Sequence, residues 1–314
     1  MTLRHFLRDD DITAAEQAAL LARAADLKLA PFANRCLEGP QVVAVLFDKQ
    51  TLRTQVSFTA AIAHLGGFPM VIDGNLAQVG VRESIADTAR VLGREALAIV
   101  WRTYGQERLD EMAAFAQVPV VNALTDEFHP CQILADLLTI TEHKGRLPGL
   151  TFAYVGDGGN NMTHSYLLGG ALAGLHVRIG TPAGFAPDPQ ILARATAIAA
   201  EQGGSVTITH DPYAAVAGAD AVATDTWVSM GKEAEKDSRR GQESPFVGYA
   251  VDAALMAAAA PDAIFLHCLP AYRGFEVMAE VIDGPQSVVW QESENRLHVQ
   301  KAVLSWLVEE ARTR

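Results

Sequence analysis

"VVAVLFDKQTLRTQVSF", residues 42–58, sets an apolar run directly before a polar turn and the start of a helical pattern. The first six residues are continuously apolar, which is typical of a strand in a parallel sheet covered on both faces. The helix is predicted to begin near Thr51 and carries Arg53 and Thr54 at its start. Free N–H groups and the helix dipole make such an N-terminus an anion site, which the guanidinium and hydroxyl groups would reinforce.

The rest of the chain repeats this alternation of apolar runs and helical segments. Further strands are predicted at "FPMVID", "LAIVW", "VPVVNAL", "TFAYVGDG", "HVRIGT", "SVTITHD", "AVATDTW", "AIFLHCLP" and "SVVWQES". Helices are predicted to begin near Thr51, Ser84, Gly105 and His129. The pattern predicts an α/β protein with two open, doubly wound parallel-sheet domains, residues 1–147 and 148–314.

Helices are predicted at both ends of the chain. Thr13 followed by Glu16 forms a capping-box pattern at the start of the first helix. Residues 294–314 are amphipathic and uninterrupted by glycine or proline, and we expect this last helix to pack back on the first domain. Residues 232–245, rich in glycine, serine and charge, are predicted to form a mobile surface loop.

Composition and charge exclude several classes of protein. The 314 residues are 49% hydrophobic and 20% charged, and they contain neither a membrane-length apolar run nor the apolar core of a signal peptide. We therefore expect a cytoplasmic protein with no membrane partner. Three scattered cysteines predict reduced thiols, without a disulfide framework or zinc site. A net charge of −12 argues against nucleic acid as a partner, although a few converging arginines can still bind a small anion.

Polar side chains follow several predicted strands of the first domain. Arg102 ends one strand, and His129 and Gln132 follow another with the spacing of neighbours on a helix face. In open α/β sheets ligands bind at the carboxyl ends of the strands. An imidazole and an amide together can hold a small planar carbonyl–amine group, by donating to its oxygen and accepting from its nitrogen.

Six motifs in order carry a resemblance that covers nearly the whole chain. "TLRT", "FHPCQ", "GDGGNNM", "DTWVSMG", "HCLPAYRG" and "ENRLHVQKA" resemble those of the ornithine carbamoyltransferase family. The resemblance implies an enzyme of arginine biosynthesis that transfers the carbamoyl group of carbamoyl phosphate to the δ-amine of L-ornithine, giving citrulline and phosphate. It further implies that the first domain binds carbamoyl phosphate and the second ornithine, that no metal or organic cofactor takes part, and that the chain forms a homotrimer.

The resemblance also assigns residues to the carbamoyl phosphate site. They are Thr51, Leu52, Arg53, Thr54, Gln78, Arg102, His129, Gln132 and Arg296. Leu52 departs from the Ser-Thr-Arg-Thr motif of the family, so that only its backbone N–H is left for the phosphate. Gln78 resembles part of a loop that reaches a neighbouring subunit's site in the family's trimers.

The ornithine site is assigned in the same way. Its residues are Asn161, Asp225, Ser229, Met230, Cys268 and Leu269. A carboxylate at Asp225 can hold a cationic amine, and Asn161 can bind the α-carboxylate. We expect Cys268 to steer loss of the amine proton, while Arg102 and His129 stabilise charge on the carbonyl oxygen. These four residues, Arg102, His129, Asp225 and Cys268, are the predicted catalytic set.

Alternatives remain open from the sequence. Tyr272 stands where many relatives carry histidine, which leaves open another acceptor amine such as putrescine or a modified ornithine. "VGDGGNNM" could be the dinucleotide-binding turn of an NAD-dependent dehydrogenase, but the next strand ends in "HVRIGTP", without the acidic residue that the Rossmann pattern requires. A covalent Cys268–His267 dyad has poor geometry, because neighbours on a strand point to opposite faces. A non-catalytic sensor with the same pocket is a further alternative.

Overall fold

The structure, a computed structural model, describes residues 3–228, 233–241 and 243–313. The chain forms two compact units, Met1–Leu138 with Glu294–Arg314, and Thr139–Ser293. The last helix thus contributes its residues from Glu294 onward to the first unit. The predicted boundary between residues 147 and 148 stays a prediction.

The first unit is built around a parallel sheet. Its elements are α1 (Ala14–Leu29), β1 (Val42–Phe47), α2 (Arg53–His64), β2 (Phe68–Asp73), α3 (Gly74–Ala77), α4 (Ile85–Glu95), β3 (Ala98–Arg102), α5 (Gln106–Ala116), β4 (Val120–Leu124), and parts of α6 (Pro130–Lys144) and of the final helix. The strand order is β2-β1-β3-β4. The order reverses between β1 and β3, so the carboxyl ends of these two strands flank a topological switch point.

The second unit contains a five-stranded parallel sheet. Its elements are β5 (Thr151–Val155), α7 (Asn161–Leu172), β6 (His176–Gly180), α8 (Pro189–Gln202), β7 (Ser205–Thr209), α9 (Pro212–Val216), β8 (Ala221–Thr224), the 3₁₀ turn Glu233–Glu235, α10 (Lys236–Arg240), the 3₁₀ turn Val247–Tyr249, α11 (Ala253–Met256), β9 (Ile264–His267) and α12 (Ala279–Ile282). The order β7-β6-β5-β8-β9 places the switch point between β5 and β8. The predicted α/β class with two parallel sheets is confirmed.

The hydrophobic pattern explains why these strands form. Every residue of β3, β4, β8 and β9 is buried, as expected for strands covered on both faces. β2, at one edge of the first sheet, differs in having no buried residue, whereas the edge strands β4 and β9 are buried throughout. The capping box of Thr13 and Glu16 is present, with both reciprocal hydrogen bonds, so α1 begins where the sequence predicted.

Two local predictions were wrong. "SVVWQES", predicted as a strand, contributes only an isolated bridge between Ser287 and Phe265, and helix α13 (Val289–Arg312) begins two residues later. The apolar start of this segment resembles a strand, but its residues from Val289 onward form the first turns of a long helix. The predicted surface loop is largely helical where it is described, through the turn Glu233–Glu235 and α10. Lys232 and Gln242 lie outside the described residues.

No helix within the described ranges combines the length and the apolar character that a bilayer crossing requires.

A buried lysine joins α13 to the end of α1 in the first unit. The Lys301 Nζ donates to the backbone oxygen of Leu27 at 2.7 Å and to that of Pro31 at 3.3 Å. The side chain is fully buried. It therefore caps the carbonyl end of α1, where a cation is favoured. Burial disfavours the charged form and lowers the pKa of Lys301 to about 8.

This lysine predicts a particular pH dependence of stability. Because the folded-state pKa is about 8 and the ordinary value is 10.5, the unfolded chain binds more protons between these pH values. Raising the pH through this window should therefore favour the folded state. We expect the wild type to gain thermal stability relative to Lys301→Met as the pH rises from about 7 to about 10. A melting-temperature difference that is constant, or that moves in favour of the variant, would contradict this.

Candidate active site

Two arginines converge on one threonine hydroxyl in the first unit. Arg102, at the end of β3, donates through Nη1 to the Thr54 Oγ1 at 3.3 Å. Arg296, on α13, donates through Nη2 to the same atom at 3.0 Å. Thr54 lies in the first turn of α2, and all three side chains are buried. Two like charges held together in this way favour an anion, and the N-terminus of α2 adds its dipole.

A neutral histidine lies within the same positive field. His129, directly before α6, is 4% exposed. Burial and the charges of Arg296, Arg102 and Arg53 hold the pKa of His129 well below its usual range. The imidazole is therefore uncharged at neutral pH, and it can donate or accept a hydrogen bond without adding a fourth cation. The charges of all three arginines thus act on this one ring.

Gln132 is held in a fixed orientation one turn along α6. Its Nε2 donates to the Asp136 Oδ1 at 2.8 Å, and both residues are buried. The amide nitrogen therefore faces Asp136, which sets the direction of the amide oxygen. The sequence predicted Gln132 from its spacing to His129, but it did not predict Asp136, whose only signal is the i, i+4 spacing within α6.

The remaining predicted residues of this site differ in placement. The Thr51 Oγ1 accepts a hydrogen bond from the Thr54 backbone N–H at 3.3 Å, which shapes the turn before α2. The Leu52 side chain is 71% exposed at the N-cap position of α2. Gln78 is exposed, has φ 51°, and makes hydrogen bonds only through its backbone among the described residues. The fold of the single chain thus does not bring the Gln78 side chain into contact with the arginine cluster.

A carboxylate and a thiol meet at the carboxyl ends of the neighbouring strands β8 and β9 in the second unit. Asp225 follows β8, and Cys268 follows β9. The Cys268 Sγ donates to the Asp225 Oδ1 at 3.3 Å, and the Thr226 backbone N–H donates to the same oxygen at 2.7 Å. Burial raises the pKa of Asp225, against the lowering effects of His267, Thr226 and Cys268. A buried carboxylate of this kind attracts a cationic amine and can also take up a proton.

Asn160, which the sequence analysis did not single out, contacts Asp225. The Asn160 Nδ2 donates to the Tyr154 hydroxyl at 3.0 Å and to the Asp225 Oδ2 at 3.5 Å. Its Oδ1 caps α7 by accepting from the Thr163 N–H. Asn161 is half-buried at the first position of α7. Either asparagine of "GDGGNNM" fits the motif, and only the backbone decides which one points at Asp225.

Leu269 lies in the predicted turn beside Cys268 and is half-buried, with φ 58°. Ser229 and Met230, the two other residues predicted for the acceptor, lie outside the described residues.

A buried ion pair that the sequence analysis missed holds the loop after Asp225. The Arg239 Nη1 donates to the Asp157 Oδ2 at 2.6 Å and to the Trp227 backbone oxygen at 2.9 Å. Arg239 and Asp157 are both buried. α10 is thereby tied to the turn after β5 and to the turn after β8. No local pattern distinguishes Arg239 from the adjacent Arg240, so its role follows only from the fold.

Asp225, His267 and Cys268 each place one potential metal-ligand atom within 4.8 Å of the others. However, the His267 Nδ1 accepts from the Leu269 N–H at 2.9 Å, and its Nε2 faces the Glu276 Oε1 at 3.4 Å. Both ring nitrogens are thus directed at other groups, and we assign no metal to this cluster.

The fold and these clusters define a class of α/β protein with an anion-binding arginine cluster in one unit and a carboxylate–thiol cluster in the other. A model described as the carbamoyl-P binding domain of aspartate/ornithine carbamoyltransferase matches residues 4–142, and one described as the Asp/Orn binding domain matches residues 148–307. The chain belongs to the aspartate/ornithine carbamoyltransferase family. This membership sets aside the dehydrogenase alternative.

Individual relatives agree with the family assignment. The chain is 60% identical over 308 residues to an ornithine carbamoyltransferase of Clavibacter sepedonicus, covering 98% of this chain and 99% of that protein. It is 56% identical to one of Rhodococcus opacus, with 98% and 96% covered. A solved ornithine carbamoyltransferase of Pyrococcus furiosus is 45% identical with a TM-score of 0.91, covering 96% of each chain. The anabolic enzyme of Campylobacter jejuni is 36% identical with a TM-score of 0.92, covering 98% of this chain and all of that one.

The three cysteines are expected to differ in reactivity. Burial raises the pKa of Cys131 to about 12, and burial with the charge of Glu309 raises the pKa of Cys36 to about 11. Since the thiolate is the reactive form, both should react slowly. We expect a disulfide reagent to label Cys131 most slowly, because its side chain is fully buried, with a slow phase that is lost in Cys131→Ser and kept in Cys36→Ser. A slow phase that survives Cys131→Ser would contradict this.

Proposed function

We propose that this chain transfers the carbamoyl group of carbamoyl phosphate to the δ-amine of L-ornithine, giving citrulline and phosphate. The observation that carries the proposal is the convergence of Arg102 and Arg296 on the Thr54 hydroxyl at the start of α2. It supports binding of a phosphate-bearing donor. The family membership and the names of relatives at 56–60% identity support ornithine as the acceptor.

The donor is proposed to bind through charge and through hydrogen bonds to its carbamoyl group. Arg53, Arg102 and Arg296 would share the phosphate oxygens with the first N–H groups of α2. His129 is neutral and would donate to the carbamoyl oxygen, while the Gln132 amide oxygen would accept from the carbamoyl –NH₂. As the carbonyl oxygen gains charge during attack, the nearby guanidinium groups would stabilise it.

Further donor contacts are proposed from the family motif. The Thr51 and Thr54 hydroxyls and the backbone N–H of Leu52 would complete the phosphate cradle. Leu52 is the N-cap residue of α2, where an anion is favoured, and its side chain is exposed to solvent. Its backbone N–H is the group proposed to contact the phosphate. Gln78 would act on the site of a neighbouring subunit.

The acceptor is proposed to bind where Asp225 and Cys268 meet. The δ-ammonium group of ornithine would lie against the Asp225 carboxylate and the Cys268 thiol, with the backbone at Leu269 beside it. An ammonium has no lone pair, so it must first lose a proton, and a carboxylate whose pKa is raised by burial favours this transfer. The neutral amine then attacks the carbamoyl carbon, and the tetrahedral species expels phosphate.

The ends of ornithine would be held by separate groups. Asn161, at the N-terminus of α7, would bind the α-carboxylate, and the helix dipole favours this charge. Ser229 and Met230 would complete the pocket, as the motif "DTWVSMG" implies. A role in arginine biosynthesis and a cytoplasmic location stay predictions.

An activity panel tests the proposal directly. Carbamoyl phosphate is offered with ornithine, putrescine, acetylornithine or aspartate, and the carbamoylated product is measured. We expect ornithine to give the highest kcat/KM, and Arg53→Ala to lower it by about 10²–10³-fold, because a charged stabiliser of the donor is lost. Arg90→Ala, which removes an exposed arginine paired with Asp87, is the matched control. Equal activity of Arg53→Ala and the wild type would overturn the assigned role, and preference for another amine would overturn the acceptor.

We also propose a homotrimer, supported by exposed apolar side chains around the β2 edge of the first unit. Helix α2 packs against β2, and residues from Gly74 follow that strand. The exposed apolar residues of these elements are Leu52, Val56, Phe68, Val71, Leu76 and Val81. An apolar edge strand of this kind is a typical interaction surface.

Light scattering tests the assembly. We expect the wild type to have the mass of three chains, and Leu76→Glu to lower it, since the leucine is 82% exposed within this patch. Leu29→Glu, an equally exposed leucine at the end of α1, should leave the mass unchanged. A wild type that is monomeric and fully active would contradict the proposal.

A further inference from the structure

A fully buried carboxylate and imidazole lie beneath the acceptor cluster of the second unit. Glu276 is 0% exposed and His267, the last residue of β9, is 1% exposed. The Glu276 Oε1 lies 3.4 Å from the His267 Nε2, a nitrogen that makes no hydrogen bond within the described part of the chain. Burying a carboxylate is unfavourable unless other groups compensate its charge, so the buried position of Glu276 suggests a role in the structure of this site.

The hydrogen bond on the opposite side of the ring fixes the tautomer of His267. The Leu269 backbone N–H donates to the His267 Nδ1 at 2.9 Å. A backbone amide can only donate, so Nδ1 carries no hydrogen, and in the neutral ring the hydrogen lies on Nε2. The Glu276 carboxylate near Nε2 favours a hydrogen on that nitrogen electrostatically, which is the same tautomer that the Leu269 N–H requires.

The turn that His267 holds is itself strained. Leu269 has φ 58°, a left-handed conformation that is unfavourable for a residue other than glycine. This turn follows Cys268, whose thiol contacts Asp225. Glu276 Oε1 also accepts from the Tyr272 N–H at 2.5 Å. The carboxylate therefore restrains the loop directly through Tyr272 and indirectly through His267.

We propose that Glu276 and His267 are positioning residues for the acceptor amine. The Leu269 N–H fixes the tautomer of His267, and the charge of Glu276 beside Nε2 reinforces it. His267 in turn holds the Leu269 backbone, so that Cys268 keeps its place beside Asp225. Neither residue contacts substrate in this scheme. The inference rests on the proposed function, since it deepens the assignment of this cluster to the amine.

Steady-state kinetics with both substrates tests the proposal. His267→Ala removes the acceptor for the Leu269 N–H, and we expect the KM for ornithine to rise about tenfold while the KM for carbamoyl phosphate stays within about twofold. Glu276→Gln removes the charge but keeps an oxygen, and we expect a rise of about fivefold in the KM for ornithine. Glu280→Gln, the same change at an exposed residue of α12, is the control and should have no effect.

A conservative variant separates positioning from packing. In His267→Asn, the amide oxygen can take the place of Nδ1 and accept from the Leu269 N–H without a choice of tautomer. We expect this variant to recover most of the ornithine KM that His267→Ala loses. In the His267→Asn background, Glu276→Gln should then add little, because no imidazole tautomer is left to select.

Several outcomes would overturn the proposal. One is that His267→Asn is as impaired as His267→Ala. Another is that the effects of His267→Asn and Glu276→Gln on the KM for ornithine are fully additive. A third is that the variants change the KM values of both substrates equally. If Glu276→Gln does not fold, the comparison of His267→Asn with His267→Ala still decides. The wild-type acceptor panel reports separately on the proposed function. If another amine is preferred there, its KM takes the place of that for ornithine in every comparison.

Discussion

The structure of the donor site depends on placing like charges together. Arg102 comes from the end of β3 and Arg296 from the last helix, yet both donate to the hydroxyl of Thr54. The repulsion between two buried guanidinium groups is unfavourable, and an anion on the same side relieves it. The neutral state of His129 follows from its burial and from the same field, because both lower the pKa of the imidazole. The proposed anion binding and the protonation state of the histidine thus depend on one buried arrangement.

The cluster around Asp225 has the opposite charge. Asp225 is a buried carboxylate whose nearest groups are a thiol, a backbone N–H and an amide, so its negative charge is only partly compensated. A cationic amine supplies what is missing, and the raised pKa of Asp225 favours release of the amine proton to it. In the proposed function the two clusters select substrates of opposite charge, which the net charge of −12 of the whole chain does not indicate.

Much of the fold and the donor cluster could be predicted from the sequence. Continuous apolar runs identify parallel strands, and the general rule for open α/β sheets directs attention to the residues at their carboxyl ends. Prediction failed where local pattern and tertiary context disagree, as at "SVVWQES", whose apolar start belongs to a helix. It also failed for groups that act at a distance in sequence. Asn160 was not predicted, and Glu276 lies nine positions beyond His267 without any motif to connect them.

The central claim is that buried arginines of the first unit bind the phosphate-bearing donor, and calorimetric titration with carbamoyl phosphate tests it most directly through Arg296. The account predicts that Arg296→Met weakens the affinity for carbamoyl phosphate by about tenfold or more, because a charge-assisted hydrogen bond donor is lost from a buried site. An unchanged dissociation constant in a folded variant would contradict the account.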